Sequence, residues 1–193
     1  MKSPRRYEQR RRAESAAETE RRILDATSAL FLATGEVPTL EAVASRAGVA
    51  VQTVLRRFGS KEGLVEAAAA EARTRVADAR GAAPTGDLVG IVANLMDHYA
   101  AWGELSLRLQ HLEGRSPTAS QVLHDARALH RAWVERVFAP QLAALDAGDR
   151  PRRLTELVVV TDVYVWKLLH RDQGLARHEH EATLVDLLQR VLA

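Results

Sequence analysis

The chain of 193 residues contains no cysteine, which excludes a disulfide-stapled scaffold and any thiolate metal site. No apolar run approaches the roughly 20 residues that span a bilayer. The charged N-terminus has no apolar segment behind it, so neither a membrane span nor a secretory signal is expected, and the default location is cytoplasmic. No stretch holds the strand period. Even Val158-Val159-Val160 lies inside a longer helical pattern. A nucleophile elbow and a glycine-rich phosphate loop are both missing, so the chain carries no enzyme signature and no cofactor is expected. The seven histidines include no i, i+4 pair, and His178 and His180 point to different sides of a helix, so no metal site is expected.

The apolar content of 47% marks a globular chain, long enough for one good core or two small ones. Net charge is only +2, but it is unevenly spread: residues 1–80 hold 15 Lys/Arg against 11 Asp/Glu, leaving 12 against 14 for residues 81–193. The basic half is therefore the N-terminal one, which suits an electrostatic footprint on nucleic acid. Its first residues carry Lys2, Arg5, Arg6, Arg10, Arg11 and Arg12 against Glu8. Residues 1–18 are expected to form a basic, disordered arm, either a solubilising tail or an arm laid on DNA phosphates.

Residues 14–34 read as a helix, with Ile23, Leu24, Thr27, Leu30 and Phe31 on one face and Gly35 at the stop. After Pro38, Thr39 is a good N-cap for a short helix with Leu40, Val43, Ala44 and Ala47 on its apolar face. Gly48 follows, then a second short helix burying Val54, Leu55 and Phe58 and ended by Gly59. The spacing carries the meaning. Two helices crossing steeply at a short turn need a small residue facing the turn (Ala44) and an unusual backbone in it (Gly48). They also need an apolar filler after it (Val49) and a branched residue offered back (Val54). Together these describe a helix-turn-helix.

From Thr19 to about Ala67 the sequence resembles the DNA-binding domain of TetR-type (tetracycline-repressor-like) transcriptional regulators. The resemblance rests on Ile23-Leu24, Leu30-Phe31, Gly35, Val43-Ala44, Ala47-Gly48-Val49, Thr53, Phe58 and Ser60-Lys61-Glu62-x-Leu64. It implies an all-α protein: an N-terminal three-helix domain with a helix-turn-helix, and a C-terminal helical domain for effector binding and dimerisation. The chain departs from the family's habits at Gln52 (usually small), Leu55 (usually aromatic), Arg57 (usually aromatic or His) and Ala50 (usually a Ser cap). These changes leave DNA binding in place and point to a different target sequence.

Geometry divides the expected DNA contacts. Gln52 offers a bidentate amide to adenine and Val51 an apolar neighbour to a thymine methyl. Thr39, Thr53, Arg57 and Lys61 are assigned to phosphates, which fix register without reading sequence, and Arg56 suits either role. Residues 61–80 read as a connecting helix, so that 19–80 form the DNA-binding domain and 81–193 the helical body, the boundary falling at Gly81–Gly86.

In the body, Leu88 to Tyr99 trace a helix face expected to end near Gly103, with another helix from Leu105 to Leu112. Ser116-Pro117 is expected to start a third, which Pro140 should kink or split. Asp149 is expected to cap a helix running past Leu168, and a last helix follows through Val191. These last two suit a four-helix bundle with a second copy of the chain. All three Trp and two of the three Tyr lie after residue 95. That bias makes Met96, Tyr99, Trp102, Trp133, Tyr164 and Trp166 the candidate lining of a pocket for a small apolar or amphipathic effector. The leading expectation is a homodimeric repressor whose effector shifts the spacing of the two heads on double-stranded operator DNA. Two others stay open: a helical binding or catalytic protein with an incidental helix-turn-helix, and a DNA-binding regulator without an effector.

Overall fold

The computed structural model describes residues 4–115 and 117–193, with side chains described for 14–115 and 119–193. All regular elements among them are helical. Ser116, expected as a helix cap, and residues 1–3 of the arm lie outside the described residues. The chain divides into two compact units, Met1–Arg75 and Val76–Ala193.

The first unit contains α1 (Pro4–Thr34), α2 (Leu40–Ala47), α3 (Val51–Phe58) and most of α4 (Lys61–Gly81). Helix α1 starts at Pro4, so the expected helix over 14–34 extends back through residues 4–13, where a disordered arm was expected. The cause is local: proline is tolerated at a helix start, and the Arg, Glu, Gln and Ala that follow are good helix formers with no glycine among them. The core is built from Ile23, Leu24 and Ala26 of α1, Val43, Ala44 and Ala47 of α2, Val54 of α3, and Leu64 and Ala68 of α4, all buried. Of the three α3 residues expected to be buried only Val54 is: Phe58 is half-buried against this core, and Leu55 is half-buried.

The second unit contains α5 (Leu88–His111), α6 (Pro117–Val137), α7 (Ala139–Ala143), α8 (Arg150–Val160), α9 (Val163–Lys167) and α10 (Arg177–Leu192), with a π-helical turn at Leu168–Asp172. Helix α5 lies against α6, α9 and α10, and α8 against α6 and α10. Phe138, Ile91, Leu95, Leu142, Leu157, Leu184 and Leu188 are the largest apolar side chains sealed in its core. Unit two begins five residues before Gly81 because the last turn of α4 is bonded into it. Asn94 Nδ2 donates to the Ala79 carbonyl at 2.8 Å, and Arg136 donates to the carbonyls of Arg80 and Ala83 at 2.7 and 3.1 Å.

Three expected boundaries move. Helix α5 runs straight through Gly103. The glycine is there for packing: a Cβ on it would stand 2.8 Å from Cζ3 of Trp166, so the indole lies against bare backbone. The helix expected from Asp149 past Leu168 is broken at Thr161–Asp162. The Thr161 hydroxyl donates back to the Leu157 carbonyl at 2.7 Å, and Asp162 takes an extended backbone and caps α9 through Tyr164 N–H at 2.9 Å. Asp149 makes no side-chain cap. Pro140 does split its helix, with α6 ending at Val137 and α7 starting at Ala139.

Candidate nucleic-acid interface

The turn is set by two devices. Gly48 adopts φ +64°, a conformation cheap only without a Cβ, and the Val49 N–H returns to the Ala44 carbonyl at 3.0 Å. The second device comes from α1. Arg22 Nε donates to the Ala47 carbonyl at 3.1 Å, and Nη2 donates to the same oxygen and to the Gly48 carbonyl at 3.3 Å. A guanidinium thus closes the C-terminus of α2, where the helix dipole favours a cation. Nothing local in the sequence points to Arg22, because its partner lies 25 residues on.

Helix α2 starts as its sequence demands: Thr39 Oγ1 accepts the Ala42 N–H at 3.2 Å. That bond uses an oxygen lone pair, so the exposed hydroxyl proton is free for a phosphate oxygen. Ala50, at the head of α3, gives no side-chain cap. Ser60 caps α4 by accepting the Gly63 N–H at 3.1 Å. At the same helix start the Glu62 carboxyl is held below its usual range by its own backbone N–H and by Ser60. A carboxylate therefore already occupies part of the anion-favouring end beside Lys61.

The recognition helix α3 presents Gln52 and Arg56, one turn apart and both exposed. Neither makes a hydrogen bond or ion pair among the described residues, and exposed Arg46 at the end of α2 makes none either. Thr53 and Lys61 are half-buried and Thr39 is exposed. Two of these residues have partners within the first unit. Val51 is half-buried against its core, which it helps to support from α3. Arg57 is paired: its Nη1 lies 2.9 Å from Oε2 of Glu20 on α1, and its side chain is only 23% exposed. Glu20 stands 37 residues away in sequence, which is why Arg57 read as a free phosphate ligand.

In the second unit, Met96, Tyr99, Trp133 and Trp166 share one buried cluster. Trp102 is half-buried. Tyr164 is 54% exposed and is removed from the interior set. The cause is the break at Asp162, which restarts the helix and turns Tyr164 outward while Val163 and Trp166 face in. A polar thread runs through the cluster. The Tyr99 hydroxyl donates to the Thr161 carbonyl at 2.7 Å, and His130 Nε2 lies 3.1 Å from Thr161 Oγ1. On its other side His130 Nδ1 meets Arg80 Nη1 at 3.1 Å. Burial, reinforced by the Arg80 charge, pushes His98 down to about 3 and His130 down to about 4. Among the described residues, no group of three or more His, Asp or Glu converges as a metal site would. No helix of the described chain is long and apolar enough to cross a membrane.

The comparisons agree with this geometry. Residues 23–68 match the family model of bacterial regulatory proteins, tetR family. No curated protein matches the chain. The structure is similar to the crystal structure of a candidate transcriptional regulator, SCO7518, from Streptomyces coelicolor A3(2). The TM-score is 0.56 at 22% identity, over 91% of this chain and 99% of that one. At that identity the likeness is one of fold. The matched segment contains the helix-turn-helix, its turn glycine and its recognition helix, and over those residues the chain is similar to the DNA-binding segment of bacterial regulatory proteins of the tetR family.

Proposed function

We propose that this DNA-binding transcriptional regulator is a ligand-responsive repressor, binding operator DNA as a homodimer and released by a small amphipathic effector. The observation that supports the DNA half best is the pair Gln52 and Arg56, exposed side by side on α3 with no partner among the described residues. A glutamine and an arginine are the side chains suited to bidentate readout of adenine and guanine edges. Lys61 and Thr39 flank them and suit phosphates.

Dimerisation follows from the small reach of one eight-residue recognition helix, which covers only a few base pairs. The exposed Val159, Tyr164 and Leu168 offer apolar surface for a second copy. The effector half rests on the aromatic cluster of the second unit. An effector acts only through a difference in affinity between the DNA-binding state and the other state.

Selection of bound duplexes from random DNA tests the reading. The expected product is an inverted repeat with half-sites about one helical turn, roughly 34 Å, apart or a multiple of that. Recovery of no specific palindrome would overturn it.

A further inference from the structure

Arg80 is the one buried arginine of the second unit, 6% exposed, and it takes part in none of the ion pairs among the described residues. The groups in direct contact with its guanidinium are neutral. Its Cζ lies 4.6 Å from the ring centroid of Trp133. Its Nη1 meets Nδ1 of His130 at 3.1 Å, and the Tyr99 phenol is its remaining polar neighbour. Thr161 has one hydroxyl proton, and it goes to the Leu157 carbonyl at 2.7 Å. The Thr161 oxygen therefore accepts from Nε2–H of His130, which leaves Nδ1 as the acceptor for Arg80. His130 is neutral in that arrangement. The Asp162 carboxylate accepts Tyr164 N–H and its charge is felt at Tyr99, but it makes no bond to Arg80.

A buried charge without a counter-ion is costly, because desolvation is not offset by attraction. Here two further buried polar atoms are also unpartnered: Nε1 of Trp133, the ring under the guanidinium, and Nδ1 of His98, which feels the Arg80 charge. Donors converge there, and no carboxylate bonds to Arg80 among the described residues. Arg136 is occupied by the backbone carbonyls of Arg80 and Ala83 at 2.7 and 3.1 Å. Apolar surface adjoins: Tyr99 lies 5.8 Å from Trp166, ring to ring, within the same core as Met96.

The geometry points to an effector that is a small amphipathic carboxylate, its anionic group held by Arg80 and Trp133 Nε1–H and its apolar part lying among Tyr99, Met96 and Trp166. This deepens the proposed effector reading and rests on it. The competing explanation is a structural arginine, holding the end of α4 by stacking on Trp133. A structural role leaves the orphaned indole N–H and the missing counter-ion unexplained.

The test uses the full chain and a set of probes: phenylacetate, 3-phenylpropionate, indole-3-acetate and octanoate, each beside its primary amide. Thermal shift and operator binding by fluorescence anisotropy are read for the wild type, Arg80→Met and Arg80→Lys. The expected result is that one or more acids raise the melting temperature and weaken operator binding while the matching amides do neither. Arg80→Met should abolish the acid response, Arg80→Lys should retain part of it, and both should still bind operator. Arg80→Met should unfold in urea no earlier than the wild type, because it removes an uncompensated buried charge. The inference is overturned if amides act as well as acids, if Arg80→Met responds like the wild type, or if all the acids are silent while neutral compounds release the DNA. In each of these cases the effector reading itself survives. If acids and amides alike leave operator binding unchanged, both fall.

Discussion

Mild acid should unfold the second unit through two histidines. In the folded chain burial and the Arg80 charge bring His130 to about 4 and His98 to about 3. In the unfolded chain each titrates near about 6.5. The folded values lie below the unfolded ones, so the unfolded state binds the extra protons. Stability is therefore complete above about pH 6.5 and falls as the pH drops towards the folded values. Going from about pH 7 to about pH 4.5 protonates each imidazole only in the unfolded chain, which removes about 2.5 kcal/mol per group. His98 and His130 repel each other when charged, so the pair titrates as a unit. The assay is urea unfolding followed by tryptophan fluorescence. All three tryptophans, Trp102, Trp133 and Trp166, belong to the second unit, so the signal reports that unit. Replacing both histidines with glutamine should flatten the loss between those two pH values by at least half. An equal loss in wild type and double variant would contradict this and assign acid lability to buried His180, whose pKa burial also lowers, or to the surface carboxylates.

Arg22→Ala should cost about 1–2 kcal/mol, since it removes charge-assisted bonds from an exposed side chain to the turn carbonyls. Urea unfolding by circular dichroism and operator affinity should both register it, and an unchanged affinity would mean the turn holds without it. Glu20→Gln should release Arg57 towards phosphate, tightening non-specific DNA binding and steepening its salt dependence by up to about one charge. A flatter salt dependence would place Arg57 elsewhere. Gly103→Val should destabilise the second unit by about 1–3 kcal/mol through overpacking against Trp166. Its tryptophan-detected urea midpoint checks this.

The sequence shows most clearly what short-range chemistry decides. The Thr39 cap, the left-handed Gly48 and the split at Pro140 each depend on neighbours within four residues, and each is found where the residue types place it. Gly103 shows the limit of that logic. A glycine that ends a helix and one that makes room for an indole look alike in sequence, and only the packed Trp166 separates them. The break at Thr161–Asp162 was hidden by the continuous apolar pattern on either side, although the Thr-Asp pair carries the chemistry for a back-bond and a new cap. Tyr164 is misplaced for the same reason. On α3 the exposure of Gln52 and Arg56 is legible because it follows helical period. The half-burial of Val51 and the pairing of Arg57 are not, because a core wall and Glu20 arrive from other parts of the chain. Arg80 carries no local signal in the sequence, and its burial among Trp133, His130 and Tyr99 is a property of the tertiary fold.

The central claim is that α3 and its flanking cations grip DNA by phosphate and read it by Gln52 and Arg56. The most direct measurement is anisotropy of a selected operator duplex against salt for the wild type, Lys61→Ala and Gln52→Ala. The expected result is a steep log–log salt dependence that Lys61→Ala lowers by about one unit while weakening all sequences equally. Gln52→Ala should leave the slope unchanged and relax preference at one base pair per half-site, by about 1–3 kcal/mol. Binding that ignores salt, or a Lys61→Ala variant that changes sequence preference with its slope intact, would contradict it.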